Sequence, residues 1–427
     1  MASLGLFCPN TSGCLLLNLY NTLTRRTEPF KPIGNKEVKM YSCGPSTYQQ
    51  SHIGNYRTFL FQDVLQRYLE YLGYNVVRLV TLTNVEDKAI AEAKKESLSV
   101  AELTKNNENI FSKDSELLRI RTPDYSVRAS EIVDQAVRII KVLVRKGIVY
   151  CYKYKGERNF YFNPLKTKDF GKLARLDMKN WPKKKKRFHK DTYPGTRWNR
   201  GDFVLWHGCQ EKECPDTKIG KGRPSWNIQD IAMVTKHLGN EIDIACGGVD
   251  NLARHHDYNL AIAESFSDKQ FANYWLHGEH LLVDGKKMSK SKGNVYYPND
   301  IIEKGYQNFH LRFFLIYGYY HRKLIFTLDE LASNSKRLDA FRTMVQDLKK
   351  PVASTPNKKP QIVAEKITSN FERHMNNDLD VKSSFDELFK SVSELHRLKT
   401  RGRLSSKDAQ NAISALTKID AVLQVIF

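Results

Sequence analysis

The sequence predicts an α/β protein: a parallel sheet with crossover helices, interrupted by an insertion and followed by an all-α carboxyl region. Three observations predict it. A short apolar stretch at 37–43, a helical pattern over Asn55–Gly73 and a β-branched run at 75–83 follow one another in that order. A second alternation of this kind recurs over 226–265. From Pro298 to Phe427 the apolar spacing is helical, broken by Pro351, Pro356 and Pro360.

Each element has its own signal. Glu37-Val38-Lys39-Met40-Tyr41-Ser42-Cys43 and the run from Asn75 to Thr83 are too short for helices, and the second is rich in β-branched residues, so both read as buried strands. Between them Leu60, Val64, Leu65, Tyr68, Leu69 and Leu72 recur at helical spacing, and Gly73 ends the helix. Strand, helix and strand together make the βαβ unit of a parallel sheet. Ser130 to Gly147 repeats the helical device with Ile132, Ala136, Ile139, Ile140 and Leu143. Ile242-Asp243-Ile244 reads as a later strand, with a helix from Tyr258 onward. The expected organisation is an amino-terminal extension (1–18), a first half-sheet (19–150), an insertion (151–220), a second half-sheet (221–297) and a helical region (298–427).

Composition narrows the class. Of 427 residues, 41% are hydrophobic and 11% aromatic, ample for packed cores and unlike a disordered chain. Lys and Arg number 68 against 47 acids, a net charge of +21 that attracts polyanions. No apolar run approaches the ~18–20 residues of a membrane span, and Met1–Asn18 lacks the basic start of a secretion signal. Seven scattered cysteines do not resemble a disulfide framework, and a reducing, cytoplasmic setting is expected.

Three constellations carry chemistry. Gly44-Pro45-Ser46-Thr47-Tyr48 leads into His52-Ile53-Gly54-Asn55 where the first helix opens. A helix N-terminus offers unpaired N–H groups to phosphate, His52 and Asn55 add donors, and Gly54 lets a flat ring approach. The plain alternative is a capped turn. Lys287-Met288-Ser289-Lys290-Ser291 places lysines where they can grip a triphosphate and neutralise a leaving pyrophosphate, or else form a solvated loop. Cys246-Gly247-Gly248-Val249-Asp250 follows the Ile242–Ile244 strand, at the sheet edge where ligands bind. Its glycines permit close approach of a nucleoside and Asp250 suits ribose hydroxyls; a tight turn with an Asp cap is the alternative.

The order of these three pieces resembles class I aminoacyl-tRNA synthetases, although Asn55 stands where that family usually has a second histidine. Leu19-Tyr20-Asn21-Thr22-Leu23-Thr24-Arg25, Met40-Tyr41-Ser42-Cys43-Gly44-Pro45, Thr83-Asn84-Val85-Glu86-Asp87-Lys88, Gly222-Arg223-Pro224-Ser225-Trp226 and Tyr274-Trp275-Leu276-His277 are similar to the cysteinyl-tRNA synthetases in particular. The resemblance implies a Rossmann-like catalytic core and ATP, with Mg2+, as a substrate. His52, Asn55, Lys287 and Lys290 would serve catalysis; Gly54, Gly247, Gly248, Asp250, Met288 and Ser289 would bind ATP; Thr83 and Trp226 would line the amino-acid pocket.

It also implies a Zn2+ ion that takes the substrate thiolate, since a soft thiolate binds zinc and a serine hydroxyl does not. Of the four family ligand positions, Cys43 and His255 are kept, while Asp230 replaces a cysteine and Asn259 a glutamate. Cys246 is a new thiol in the Gly-rich turn, so the expected set is Cys43, Asp230, Cys246 and His255. Cys209 and Cys214 do not form a zinc knuckle. The expected partners are cysteine and tRNA(Cys), the latter met by the basic run Lys183–Lys190, with Tyr193, Arg197 and Trp198 stacking on its acceptor end. Asn377-Asp378-Leu379-Asp380 resembles the family's helical bundle, and the small anticodon-binding domain usual in the family is not expected within the residues up to Phe427. Two alternatives use the same residues: a ligase joining cysteine to an amino sugar, and a non-catalytic tRNA-binding relative.

Overall fold

The structure, a computed structural model, describes residues 16–154, 156–180, 201–209, 214–288, 293–350 and 358–427. The Lys183–Lys190 run, Tyr193, Arg197, Trp198, Ser289, Lys290, Cys8 and Cys14 lie outside the described residues. A hairpin of β1 (Asn18–Asn21) and β2 (Arg26–Pro29) precedes β3 (Glu37–Ser42), α1 (Ile53–Tyr71) and β4 (Asn75–Leu82). Then come α2 (Asp87–Lys95), α3 (Val100–Leu117), β5 (Tyr125–Arg128) and α4 (Val133–Arg145). Strands β6 (Val149–Tyr154), β7 (Glu157–Phe162), β8 (Phe203–Gly208) and β9 (Gly222–Pro224) form a separate antiparallel sheet. The chain returns through α5 (Trp226–His237), β10 (Ile242–Gly248), α6 (Asp257–Ser267) and β11 (Ala272–Gly278).

The central sheet is wholly parallel, in the order β11-β10-β3-β4-β5. The two half-sheets therefore meet at β10 and β3, so the ends of these strands form one edge. Gly73 and Gly147 follow α1 and α4 with φ of +90° and +70°, the left-handed conformation that glycine adopts without Cβ strain. α4 begins three residues later than its apolar pattern suggests, because Ala129–Glu131 forms a 3₁₀ turn instead. Alternation splits the sheet's side chains between two cores. Met40, Ile244, Cys246 and Leu276 join α1 and the helical region, whereas Tyr41, Ala245 and Trp275 pack with α4, α5 and α6.

A small sheet of β12 (Leu281–Val283), β13 (Lys286–Lys287) and β14 (Leu324–Phe326) brackets α7 (Pro298–Glu303) and α8 (Asn308–Ile316). Helices α9 (Leu328–Leu348), α10 (Lys358–Met375), α11 (Val381–Thr400) and α12 (Ser406–Leu423) complete the chain. The helical region is locked to α1 by buried charge. Arg312 donates to the Asp63 carboxylate at 2.6 Å and to the carbonyls of Leu118 and Leu423, both at 2.8 Å. Arg67 shares the same carboxylate at 3.0 Å. Removing charge from a buried partner leaves the others under-satisfied, so Asp63→Asn is expected to cost about 1.5–3 kcal/mol. A urea-midpoint measurement checks this.

One cysteine expectation fails. Cys209 and Cys214 form a disulfide across the β8–β9 connection, their Cα atoms 6.3 Å apart and thus within disulfide reach. Cys43, Cys151 and Cys246 are free. No helix among the described residues is long and apolar enough to cross a membrane.

Candidate active site

The cleft begins where α1 starts. His52 is the N-cap: its Nδ1 accepts from the Asn55 N–H at 3.3 Å, and the Asn55 Oδ1 accepts from the His52 N–H at 3.0 Å. Histidine and asparagine thus reproduce a capping box. This bond fixes a tautomer, because an Nδ1 that accepts leaves the proton of neutral imidazole on Nε2. Burial lowers the His52 pKa, so the ring is a neutral donor at pH 7.

The lysine motif reaches the same place from 235 residues away. A Cβ on Gly54 would lie 2.5 Å from the Met288 Cε, so the two motifs touch through the space that glycine leaves open. The Ile53 N–H donates to the Tyr296 carbonyl at 2.9 Å, tying the start of α1 to the chain beyond the lysine loop. Lys287 Nζ stands 4.0 Å from Asp250. His52, Asn55, Gly54, Gly248, Asp250, Lys287 and Met288 line one cleft of about 100 Å³. Thr58, Gly278, Glu279 and His280 line it too, and sequence reading missed them. The Tyr274–His277 match stops one residue short of Gly278, and the place of β11 beside β10 puts Gly278 next to Gly248. Ser289 and Lys290 lie outside the described residues.

Behind the cleft, on the face of the sheet opposite α1, sits a buried polar cluster. Cys43 leaves the end of β3, and a π-helical turn over Leu252–His256 delivers two consecutive histidines to it. The ligand atoms of Cys43, His255 and His256 lie within 4.8 Å of one another. His255 Nε2 is 2.7 Å from the Asp230 Oδ2, which the Tyr41 hydroxyl also meets. Asn259 Nδ2 lies 3.3 Å from the same imidazole nitrogen. Trp226, half-buried, stacks on His255 with ring centroids 4.1 Å apart and planes at 8°. The Thr83 carbonyl accepts from the Thr47 N–H and hydroxyl at the end of β4.

Two expectations are corrected here. Cys246 does not join the cluster. β10 continues to Gly248, so Cys246 lies within a strand, and alternation turns it into the core around α1. Burial there pushes its thiol pKa up. Its neighbour Gly247 faces the cluster instead: a Cβ on it would meet the His256 Cε1 at 2.3 Å and the Cys43 Cβ at 3.4 Å. Gly247 thus makes room for the cluster and does not line the cleft beside His52. His256, which the sequence reading passed over, takes the place expected of Cys246.

Electrostatics mark the cluster as under-satisfied. His255 Nδ1, His256 Nε2, Asp230 Oδ1 and Asn259 Oδ1 are buried without hydrogen-bond partners. Burial and the Asp230 charge push the Cys43 thiol pKa up. Burial also opposes ionisation of Asp230, but His255 and the hydroxyl of Tyr41 hold its carboxyl low. One thiol and two imidazoles brought this close together are a donor set that fits zinc, and the Asp230 carboxylate lies outside their group, bonded to His255. His256 Nδ1 contacts His277 Nε2 at 2.8 Å, and His277 Nδ1 contacts the Thr22 hydroxyl at 2.9 Å. This chain can hold His256 with its Nε2 lone pair free for a ligand.

Buried neutral histidines make stability depend on pH. Burial lowers His277 to about 3, and burial with the nearby Arg223 charge lowers His207 to about 4. Below the ordinary histidine value near 6.5, the unfolded chain binds protons that these folded groups refuse. Stability therefore falls as pH drops from about 6.5 toward 4. Thermal midpoints measured across that window are expected to decline, and less steeply in a His207→Gln variant.

The family model described as the class I (C) tRNA synthetase catalytic domain matches residues 29–336. The chain is 34% identical over 424 residues to the cysteine–tRNA ligase of Chlamydia muridarum, covering 96% of this chain and 88% of that protein. It is 36% identical to that of Brachyspira hyodysenteriae, over 91% of this chain and 82% of the relative. A Mycobacterium tuberculosis methionyl-tRNA synthetase bound to methionyl-adenylate superposes with a TM-score of 0.63 at 13% identity, covering 91% and 89% of the two chains. That likeness speaks for the fold alone.

Proposed function

The chain belongs to the cysteinyl-tRNA synthetase family of class I, and from that premise we infer how its two adjoining sites divide the work. The protein activates cysteine with ATP and transfers it to tRNA(Cys). In the first step the cysteine carboxylate attacks the α-phosphate of ATP and pyrophosphate leaves. In the second, the terminal ribose hydroxyl of the tRNA attacks the carbonyl and AMP leaves. No protein nucleophile takes part.

The observation that carries the assignment of parts is the contact of Gly54 with Met288 across the cleft, which joins the helix start and the lysine loop at one shared cleft. His52 Nε2–H, the Asn55 amide and the N-terminus of α1 would donate to phosphoryl oxygens as charge grows on them. Lys287, with Lys290 beyond the described residues, would neutralise the departing pyrophosphate. Asp250 is proposed to bind the ribose, while Gly54 and Gly248 allow the nucleoside to lie against backbone.

Cys43, His255 and His256 are proposed to hold zinc, with Asp230 as a fourth ligand or as the acceptor that orients His255. When bound, zinc supplies a soft site for the substrate thiolate, which selects cysteine against serine. With the Thr22 hydroxyl accepting from His277 Nδ1–H, His277 Nε2 would accept from His256 and hold its proton on Nδ1. Trp226 closes the pocket over His255, and Thr83 fixes the loop beside it. The helical region from 298 and the insertion over 151–220 are the proposed tRNA-contacting parts, with the cytoplasm as the proposed setting. ATP–pyrophosphate exchange measured with each amino acid in turn tests the reading: exchange with cysteine alone supports it, and exchange with none removes it.

A further inference from the structure

We propose that Glu86 is the carboxylate that receives the α-ammonium group of the amino-acid substrate, an inference that rests on the cysteine-activating reading above. A free amino acid presents three groups to the pocket. The thiol goes to the Cys43 cluster and the carboxylate turns to the ATP phosphate. The positive ammonium still needs a counter-charge, and the pocket wall offers one.

The loop leaving β3 runs beside the loop leaving β4. The Thr47 N–H donates to the Thr83 carbonyl at 3.0 Å, and the Thr83 N–H donates to the Pro45 carbonyl at 3.1 Å. Both loops stand at the carboxyl ends of their strands, the edge from which Cys43 also emerges. Glu86 lies on the second loop and is 8% exposed. The charge of Lys88, the Ser46 side chain on the first loop and, more weakly, His255 act on its carboxyl. Its Oε1 has no hydrogen-bond partner. The carboxylate therefore stands on a loop at the sheet edge from which Cys43 emerges, with one acceptor unfilled.

Its ordinary structural uses are not taken up. Glu86 is the N-cap of α2, yet its side chain makes no capping bond. The Lys88 ammonium lies over the Tyr48 ring, 5.3 Å from its centroid, and acts on the Glu86 carboxyl through its charge, without a close ion pair among the described residues. A buried carboxylate oxygen left unmatched is costly, and an incoming ammonium removes that cost. Burial raises the carboxyl pKa, as expected where the cation arrives only with the substrate. A primary ammonium also distinguishes an amino acid from a thiol acid of the same length.

The test compares cysteine with 3-mercaptopropionate, which keeps thiol and carboxylate but lacks the ammonium. In the full-length protein, Glu86→Gln is expected to raise KM for cysteine in pyrophosphate exchange roughly 10- to 100-fold, with KM for ATP unchanged. Inhibition by 3-mercaptopropionate should be the same in both proteins, and Glu86→Asp should recover part of the cysteine affinity. An unchanged KM for cysteine would overturn the proposal. So would an equal weakening of cysteine and 3-mercaptopropionate, which would make Glu86 a structural residue of the loop. If the wild-type chain shows no cysteine-dependent exchange, the underlying functional reading fails first and this inference falls with it.

Discussion

Replacing His52 with alanine is expected to lower kcat for cysteine-dependent pyrophosphate exchange by about 10²–10³-fold, leaving KM for cysteine unchanged. The expectation follows from the hydrogen bond at the start of α1. Because Nδ1 accepts from the Asn55 N–H, only Nε2–H can reach the cleft that holds Lys287 and Met288. A donor aimed at growing phosphoryl charge acts in the transition state and little in the ground state, so its loss appears in kcat. The same residue caps α1, and losing a cap costs about 1 kcal/mol of stability. Activity per folded molecule therefore has to be read alongside a melting curve. The charge state of His52 sets a second mark. Burial keeps it neutral through the physiological range, so the wild-type rate should show no histidine protonation step above about pH 6.5.

The second large effect belongs to the buried cluster. Cys43→Ala and His256→Ala should each strip the metal and raise KM for cysteine more than about 100-fold, beyond what loss of an outer partner causes. Cys246→Ala should do neither. Its sulfur packs in the other core, beside Met40 and Leu276, so the variant loses only a small buried group and keeps its zinc. Metal content by elemental analysis, set against exchange kinetics, separates the three variants. If the Cys246 variant lost its metal while the His256 variant kept it, the assignment of faces on β10 would be wrong.

The contrast between Cys246 and His256 shows how far the sequence reaches. The strand–helix–strand units of a parallel sheet, the helix opening at His52 and the meeting of that helix with the lysine loop were legible, because each depends on local pattern or on motif order. The face on which Cys246 lies was not. Reading the strand as ending at Ile244 placed Cys246 in a turn, where parity has no meaning. In fact β10 runs on to Gly248, and one residue decides which face a side chain occupies. His256 was missed for a related reason. In a regular helix, neighbouring residues diverge by about 100°, so a pair of histidines suggests only one ligand. The wide turn over Leu252–His256 sets both against Cys43, and periodicity does not announce such a turn. Glu86 lay within a recognised motif, but its burial and its unmatched oxygen exist only once two loops are side by side. The Cys209–Cys214 bridge likewise depends on how β8 and β9 bring their ends together.

Cobalt gives the most direct view of how this protein chooses its amino acid, because Co2+ occupies zinc sites and its absorption reports each sulfur that coordinates it. In cobalt-substituted protein, the sulfur-to-metal charge-transfer band should arise from Cys43 alone and intensify when cysteine is added, since a second thiolate then binds. Serine should leave the band unchanged. A protein that activates cysteine at full rate without bound metal, or a cobalt spectrum indifferent to cysteine, would contradict thiolate capture at the Cys43–His255–His256 cluster.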